Sequence, residues 1–305
     1  MFLKDKTVIV TGGTRGIGRA IVKSCVAEGA NVVFSGRDEA AAETLLRELG
    51  ELGGAGVSQS GAGVSQSDAG VSQSDAGVSL GGAGVSGIYG KARFIRTDLT
   101  DADACYALVD AAAGWFGRLD GLVNNAGIFP PGTVLDTSAE TFDNVLSVNV
   151  RAPFLLCQRA ISYMLKSGGS IVNIGSTHAE TGSPNIAAYA VSKGALRTLT
   201  RHIALNYAAA GIRANWITVG WVLTEGDYAA QRGRGLDDAQ IRANAAGRIP
   251  SGRYQEGSEI ADAAIFLLSD RASSHTDTDM RVTGGFTPGF GLPAGINVPE
   301  KNLNF

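Results

Sequence analysis

TVIVTGGTRGIG, residues 7–18, joins four β-branched residues to a turn that contains four glycines. The branched run predicts a strand over Thr7–Val10, and a helix follows over roughly Ile17–Glu28 until Gly29 ends it. Glycines in such a turn let the backbone approach a pyrophosphate, and the free N–H groups that open the helix attract phosphate. The strand–turn–helix context therefore predicts dinucleotide binding, with a plain tight turn as the alternative.

The same alternation of short apolar runs with helical segments continues along the chain, as in βαβ units. A second helix is predicted over Asp38–Leu49. Further strands are predicted at Asn31–Ser35, Arg93–Thr97, Gly121–Asn124, Ser170–Ile174 and Ala214–Thr218, and near Met280–Val282. Seven strands predict an α/β fold: a single-domain Rossmann-type doubly wound parallel sheet with helices on both faces. We assign it to residues 1–290 and regard residues 291–305 as a C-terminal tail.

A seven-residue repeat interrupts this pattern over residues 54–88, where variants of Gly-Ala-Gly-Val-Ser-Gln-Ser follow one another. The segment is rich in Gly and Ser and has no aromatic residue, which is typical of a flexible loop. An ordered β-type extension is the alternative. A loop insertion of this length adds little closure entropy, so the fold prediction does not depend on it.

Composition excludes several classes of partner and site. The formal net charge of −3 gives no electrostatic reason to expect nucleic acid or an anionic membrane surface as partner. No apolar run reaches the roughly 20 residues of a membrane span, and the N-terminus lacks the apolar core of a signal peptide. Cys25, Cys105 and Cys157 are far apart and are expected to be free thiols, and no metal site is expected. We expect a soluble cytoplasmic protein.

The end of the second predicted strand bears on the choice of cofactor. An NAD site usually has Asp or Glu there to bind the ribose hydroxyls, but here Gly36 is followed by Arg37, and Arg15 lies in the glycine-rich turn. Two guanidiniums without a facing carboxylate favour a 2′-phosphate, so NADP(H) is favoured over NAD(H). Asp38 weakens this argument, although it also fits the N-cap of the second helix.

Tyr189 and Lys193 are four residues apart, on one face of a predicted helix, and Ser176 follows a predicted strand. A tyrosine with an ordinary pKa near 10 is a poor base at neutral pH, and a neighbouring ammonium would lower that pKa. A serine hydroxyl can hold a substrate oxygen. Taken alone, this spacing is weak evidence, because many helices have a half-buried Tyr beside a solvated Lys.

The motifs become specific only in combination. The set comprises Thr11-Gly12-x-x-x-Gly16-x-Gly18, Asn124-Asn125-Ala126-Gly127, Asn149, Ser176 and Tyr189-x-x-x-Lys193. In order and spacing it resembles the short-chain dehydrogenase/reductase family, over nearly the whole chain except the repeat and the last dozen residues. The resemblance implies that Tyr189 is the general acid/base and that Lys193 lowers its pKa and binds the nicotinamide ribose. It also implies that Ser176 positions the substrate oxygen and that Asn149 holds a water that links Lys193 to solvent.

The resemblance also implies the residues that contact the cofactor. Asp98 would bind the adenine amino group, with a local N-cap or turn role as the alternative, and Thr224 would meet the nicotinamide amide. The complete expected set is Gly12, Thr14, Arg15, Gly16, Ile17, Gly18, Arg37, Asp98, Leu99, Asn125, Ala126, Gly127, Tyr189, Lys193, Gly220, Val222 and Thr224.

The family usually has Pro-Gly where this chain has Val219-Gly220, and Trp216 occupies a position that is often small. We expect Trp216 in the core or at an interface. Charged residues in the segment 223–249 favour a small, polar substrate, unless those charges face solvent. These features predict an NADP(H)-dependent oxidoreductase of carbonyls and secondary alcohols, forming a homodimer or homotetramer. A catalytically weak NADP-binding regulator or scaffold, and epimerisation or dehydration on the same fold, are the alternatives. The close Tyr–Lys spacing disfavours enoyl reduction.

Overall fold

The computed structural model describes residues 1–52, 90–181 and 185–287. The predicted repeat insertion at 54–88 and the predicted tail at 291–305 lie outside the described residues.

Within those ranges seven strands form one sheet in the order β3-β2-β1-β4-β5-β6-β7, and every neighbouring pair is parallel. The strands are β1 Thr7–Val10, β2 Asn31–Gly36, β3 Ala92–Arg96, β4 Gly121–Asn124, β5 Gly169–Ile174, β6 Ile212–Val219 and β7 Asp279–Val282. The predicted fold class, a doubly wound parallel sheet in one domain, is confirmed.

Helices connect the strands. They are α1 Gly16–Ala27, α2 Glu39–Leu52, α3 Ala102–Phe116, α4 Ala139–Leu146, α5 Ala152–Met164, α6 His178–Thr181, α7 Ala187–Tyr207, α8 Glu225–Gly233, α9 Asp238–Ala246 and α10 Gly257–Leu268. One turn of π-helix, Ser147–Arg151, joins α4 to α5. In the described part of the chain, none of the helices has the length and apolarity needed to cross a membrane.

Alternating residues of the strands point to two cores, one on each face of the sheet. Val8 and Val10 of β1 pack with α1, α2 and α10, whereas Ile9 between them packs with α3, α5 and α7. Burial on both faces explains why the strands are almost continuously apolar. The three cysteines are buried free thiols, as predicted.

The strand order reverses between β1 and β4, and that point of an open parallel sheet leaves a crevice at the carboxyl ends of the strands. Thr11 closes its floor. Its Oγ1 accepts hydrogen bonds from the backbone N–H groups of Asn125 and Ala126, both at 3.1 Å. The side-chain amide of Asn125 donates in return to the Thr11 carbonyl at 2.9 Å. The glycine-rich turn after β1 and the segment after β4 are therefore held side by side.

A series of buried side-chain hydrogen bonds, here called the polar chain, lies beneath the crevice. The Asn124 amide donates to Asn173 Oδ1, and the Asn173 amide donates to Thr200 Oγ1 of α7, both at 2.8 Å. Thr200 Oγ1 donates onward to the Leu196 carbonyl. The chain ties β4 and β5 to α7, because each buried polar group would be costly without its partner.

Thr200→Val should therefore leave the Asn173 amide unsatisfied and lower the free energy of unfolding by roughly 1–3 kcal/mol. Thr198→Val is the matched control, because Thr198 is exposed on the same helix and its hydroxyl also donates four residues back. Chemical denaturation measures both. Equal effects of the two substitutions would contradict a role for the polar chain.

Candidate active site

A groove of about 1190 Å³ opens at the carboxyl ends of β1 and β4. It brings together thirteen of the residues expected to contact a cofactor. They are Gly12, Thr14, Arg15, Gly16, Ile17, Gly18, Arg37, Asp98, Leu99, Asn125, Ala126, Gly127 and Thr224. Of the other four, Gly220 packs against Gln255 and Thr283, and Val222 forms a bridge with Gln255. The remaining two, Tyr189 and Lys193, belong to the polar cluster described below.

The glycine-rich turn has a conformation that side chains would block. Gly12 and Gly16 have φ angles of +63° and +53°, in the left-handed region that favours glycine. A Cβ at Gly12 would lie 3.0 Å from the Cα of Ala126, and a Cβ at Gly18 would overlap the Gly12 carbonyl. Helix α1 starts at Gly16, so its first N–H groups face the groove. This cradle fits a pyrophosphate.

Arginines surround the outer end of the groove. Arg15, Arg37 and Arg96 line one recess together with Asp38 and Glu39. The prediction that neither Arg15 nor Arg37 has a facing carboxylate is wrong for Arg15. Asp38 pairs with the Arg15 guanidinium, and it also accepts from the N–H of Ala41 as helix cap. The Ala41 hydrogen bond and Arg15 hold the pKa of Asp38 below its ordinary value.

The guanidinium that remains available is that of Arg37. Glu39 pairs with Arg96 at 3.3 Å, and no carboxylate within the described ranges lies at salt-bridge distance from Arg37. Arg96 was missed by sequence reasoning. Because β3 lies beside β2 in the sheet, the ends of those strands bring Arg96 next to Arg37.

Tyr189, Ser176 and Lys193 come together where β5 ends and α7 begins. The Ser176 hydroxyl is hydrogen-bonded to the Tyr189 phenol. Lys193 is 3% exposed, its Nζ donates to the Ile174 carbonyl at 2.7 Å, and it lies 5.6 Å from the centre of the Tyr189 ring. The predicted cluster therefore forms in three dimensions. The alternative of a solvated lysine is wrong, because Lys193 is buried.

Burial is the main cause of the pKa shifts of Lys193 and Tyr189. Removal from water lowers the pKa of Lys193 to about 8, because it disfavours the charged ammonium. Burial raises the pKa of Tyr189 above its ordinary value, and the hydrogen bond with Ser176 opposes that shift. The lowering of the tyrosine pKa by Lys193 stays a prediction.

The π-helical turn directs the Asn149 side chain toward the protein interior. Asn149 is fully buried: its Oδ1 accepts from the N–H of Ile128, and its amide donates to the Ile128 carbonyl and to Ser192 Oγ, at 2.9–3.0 Å. Turns of π-helix often occur at functional sites because they redirect one side chain. Here that side chain fixes the loop after β4 against α7.

Asp98 shows its local role and also lines the groove. It accepts hydrogen bonds from the N–H and the hydroxyl of Thr100, at 2.9 and 2.8 Å. Those bonds hold the pKa of Asp98 below its ordinary value. Both alternatives for this aspartate therefore have a basis in the structure.

The charges of α8 bind partners within the protein. Glu225 pairs with Arg19 of α1 at 3.0 Å, and Asp227 forms a capping box with Thr224. Arg232 pairs with Asp238 at 2.6 Å. These side chains therefore give little support to the expected polar substrate. Phe129 lies in the segment 128–133, where the resemblance implies part of the substrate pocket; it is 64% exposed and packs edge-on against the Tyr189 ring at 5.9 Å.

Comparisons with known proteins agree with this geometry. A family model described as short chain dehydrogenase matches residues 6–76, and one described as Enoyl-(Acyl carrier protein) reductase matches residues 66–287. The 2-(S)-hydroxypropyl-CoM dehydrogenase 3 of Xanthobacter autotrophicus is 35% identical, over 93% of this chain and 98% of its own. The chain belongs to the short-chain dehydrogenase/reductase family. The 3beta-hydroxysteroid dehydrogenase 1 of Eggerthella lenta is 35% identical, over 94% of this chain and 97% of its own.

A solved structure of a short chain dehydrogenase/reductase family protein is 32% identical. It has a TM-score of 0.71 and covers 93% of this chain and 98% of its own. As a short-chain dehydrogenase/reductase, the protein is an oxidoreductase that acts on CH–OH groups of small molecules with a nicotinamide cofactor.

The hydrogen bonds of Asn149 predict that this residue contributes to thermal stability. Asn149→Ala removes three buried hydrogen bonds and should lower the Tm by roughly 5 °C or more. Asn144→Ala, at an exposed position on α4, is the control and should change the Tm little. Calorimetry measures the Tm of both variants. Equal Tm values for Asn149→Ala and Asn144→Ala would show that the π-helical turn does not depend on Asn149.

Proposed function

We propose that this protein interconverts a carbonyl group and a secondary alcohol with NADP(H), and that Tyr189 is the general acid/base. One observation carries the proposal: a phenol, a serine hydroxyl and a buried ammonium meet at the carboxyl end of β5, beside a groove shaped for a dinucleotide. These are the groups that a carbonyl oxygen needs when it gains or loses a proton.

When bound, the nicotinamide cofactor would supply or accept the hydride at the substrate carbon. In reduction, the Tyr189 hydroxyl donates a proton to the substrate oxygen, and in oxidation the phenolate takes that proton. Ser176 holds the same oxygen by its hydroxyl. Burial alone makes the Tyr189 phenolate unfavourable, so the charge of Lys193 has to stabilise it.

We further propose that Asn149 and Lys193 share a water that returns the proton to solvent. A Cβ at Gly127 would lie 3.4 Å from Asn149 Oδ1 and 3.8 Å from Lys193 Nζ. Because residue 127 is glycine, the point that both groups face is not filled by a side chain. A water there would accept from Lys193 and donate to Asn149, which is the geometry that a proton relay needs.

The preference for NADP(H) rests on Arg37 as the guanidinium available to a 2′-phosphate. Asp38 is committed to Arg15 and to Ala41, so it has less capacity to bind ribose hydroxyls as an NAD site requires. Asp98, Leu99 and Thr224 would contact the adenine and nicotinamide ends.

The substrate class that we propose is a small secondary alcohol or its ketone. The two relatives named above are a hydroxypropyl-CoM dehydrogenase and a hydroxysteroid dehydrogenase, and both names specify a hydroxyl group as the reacting group. We also propose a homodimer or homotetramer. Large apolar side chains are exposed on α5 and α7, among them Phe154 at 49% and Leu205 at 83%, and association would bury them.

Tyr189→Phe should abolish turnover and leave NADPH binding intact, because only the transferable proton is lost. A screen of NADPH oxidation across ketones, sugars, keto acids and one enoyl thioester measures wild type and variant together. Tyr163→Phe, on α5, is the matched control and should keep the wild-type kcat. Unchanged turnover in Tyr189→Phe would contradict the assignment, and turnover of the enoyl thioester alone would point to a different reaction.

Arg37→Asp should weaken NADPH binding far more than NADH binding, because it places a carboxylate against the 2′-phosphate. Arg47→Asp makes the same charge change at an exposed position on α2 and should alter both affinities equally little. Calorimetric titration of wild type and both variants with each cofactor gives the six dissociation constants needed. If Arg37→Asp lowered both affinities equally, the NADP(H) preference would have to be abandoned.

A further inference from the structure

The end of β5 is supported by an unusual neighbour. Trp216 of β6 is 2% exposed and lies diagonally across the sheet from Gly175, the residue before Ser176. A Cβ at Gly175 would lie 2.7 Å from the indole nitrogen and closer still to two carbons of the ring. The indole therefore occupies the space that any side chain at position 175 would need.

The backbone at this point sets two parts of the site. The residue before Gly175 is Ile174, whose carbonyl holds the Lys193 ammonium, and the residue after it is Ser176. Gly175 and Thr177 donate backbone hydrogen bonds to β6 at 2.8 and 3.2 Å. A displacement of Gly175 would move both the Ile174 carbonyl and the Ser176 hydroxyl.

A chain of hydrogen bonds fixes the orientation of the indole. Its N–H donates to Thr218 Oγ1 at 2.8 Å, and Thr218 donates to Asp279 at 2.6 Å. Asp279 in turn pairs with Arg197 at 3.1 Å. Arg197 lies on α7, one turn after Lys193, so the indole is anchored to the helix that presents Tyr189 and Lys193.

We propose that Trp216 is a positioning residue of the reaction: by packing on Gly175 it sets the distance between Ser176 and Tyr189. This inference rests on the proposed function. Trp216 itself is too deeply buried to touch substrate, so it acts through the backbone of β5. A displacement of about 1 Å between reacting groups can cost on the order of 100-fold in rate.

Complementary substitutions test the contact. Gly175→Ala should force the strand away from the indole and lower kcat by on the order of 100-fold, while the Kd for NADPH stays at the wild-type value. Trp216→Leu opens space for the added methyl group, so the double variant should recover at least ~10-fold in kcat over Gly175→Ala alone. Trp115→Leu, on α3, is the control and should keep the wild-type kcat.

Measuring kcat and Tm on the same samples separates an effect on positioning from an effect on stability. The inference would be overturned if the kcat losses of the two single variants multiplied in the double variant. A wild-type kcat in Gly175→Ala would also overturn it. Should Gly175→Ala fail to fold, the single variants decide: kcat falls in Trp216→Leu at constant NADPH Kd, and Trp216→Phe keeps most of it. Equal kcat in wild type and Trp216→Leu would overturn the inference as well.

Failure of the proposed function gives a different result. If Tyr189→Phe turned over substrate as fast as wild type, the proposed function would be contradicted, and this inference with it.

Discussion

The site depends on an ammonium group that is held out of water, that of Lys193. Lys193 donates to the Ile174 carbonyl, and no acidic side chain in the described part of the chain pairs with it. A buried charge of this kind is costly, which is why the pKa of Lys193 falls to about 8. Because none of the described carboxylates pairs with Lys193, none of them neutralises its positive charge near the Tyr189 phenol. Stability is given up where the proposed chemistry needs an electrostatic effect.

The architecture around Lys193 follows from this requirement. Helix α7 places Tyr189 one turn before it, and the end of β5 supplies both the anchoring carbonyl and Ser176. The strand reversal puts the dinucleotide groove beside these groups. The π-helical turn directs Asn149 to the space next to Gly127. Tyr189, Lys193 and Asn149 therefore sit on helical turns, and Ser176 follows two residues after a strand, so rigid elements position them.

The sequence predicted the sheet well where strands are short, apolar and bounded by turn residues: β1 and β4 have the predicted limits. Strand β6 begins two residues earlier than predicted, because Arg213 lies within it and satisfies its guanidinium on backbone carbonyls of Ser269 and His275. The order and spacing of the motifs, through the family resemblance, predicted thirteen of the residues that line the groove. The Arg15–Asp38 pair was not predicted, because the two residues are 23 positions apart. Each already had a role of its own, Arg15 as a phosphate ligand and Asp38 as a helix N-cap. The π-helical turn has the same apolar spacing as an ordinary helix and leaves no signal in the sequence.

Lys193 is buried, and that burial holds its pKa far below that of an ordinary lysine. Heteronuclear NMR of the cofactor-free protein, with 13C-labelled lysine and Lys193→Met to assign the resonance, measures its pKa directly. We predict an Nζ pKa of about 8 for Lys193, below the ordinary 10.5. A pKa near 10.5 for Lys193 would mean that the ammonium is hydrated, and it would contradict its burial against the Ile174 carbonyl.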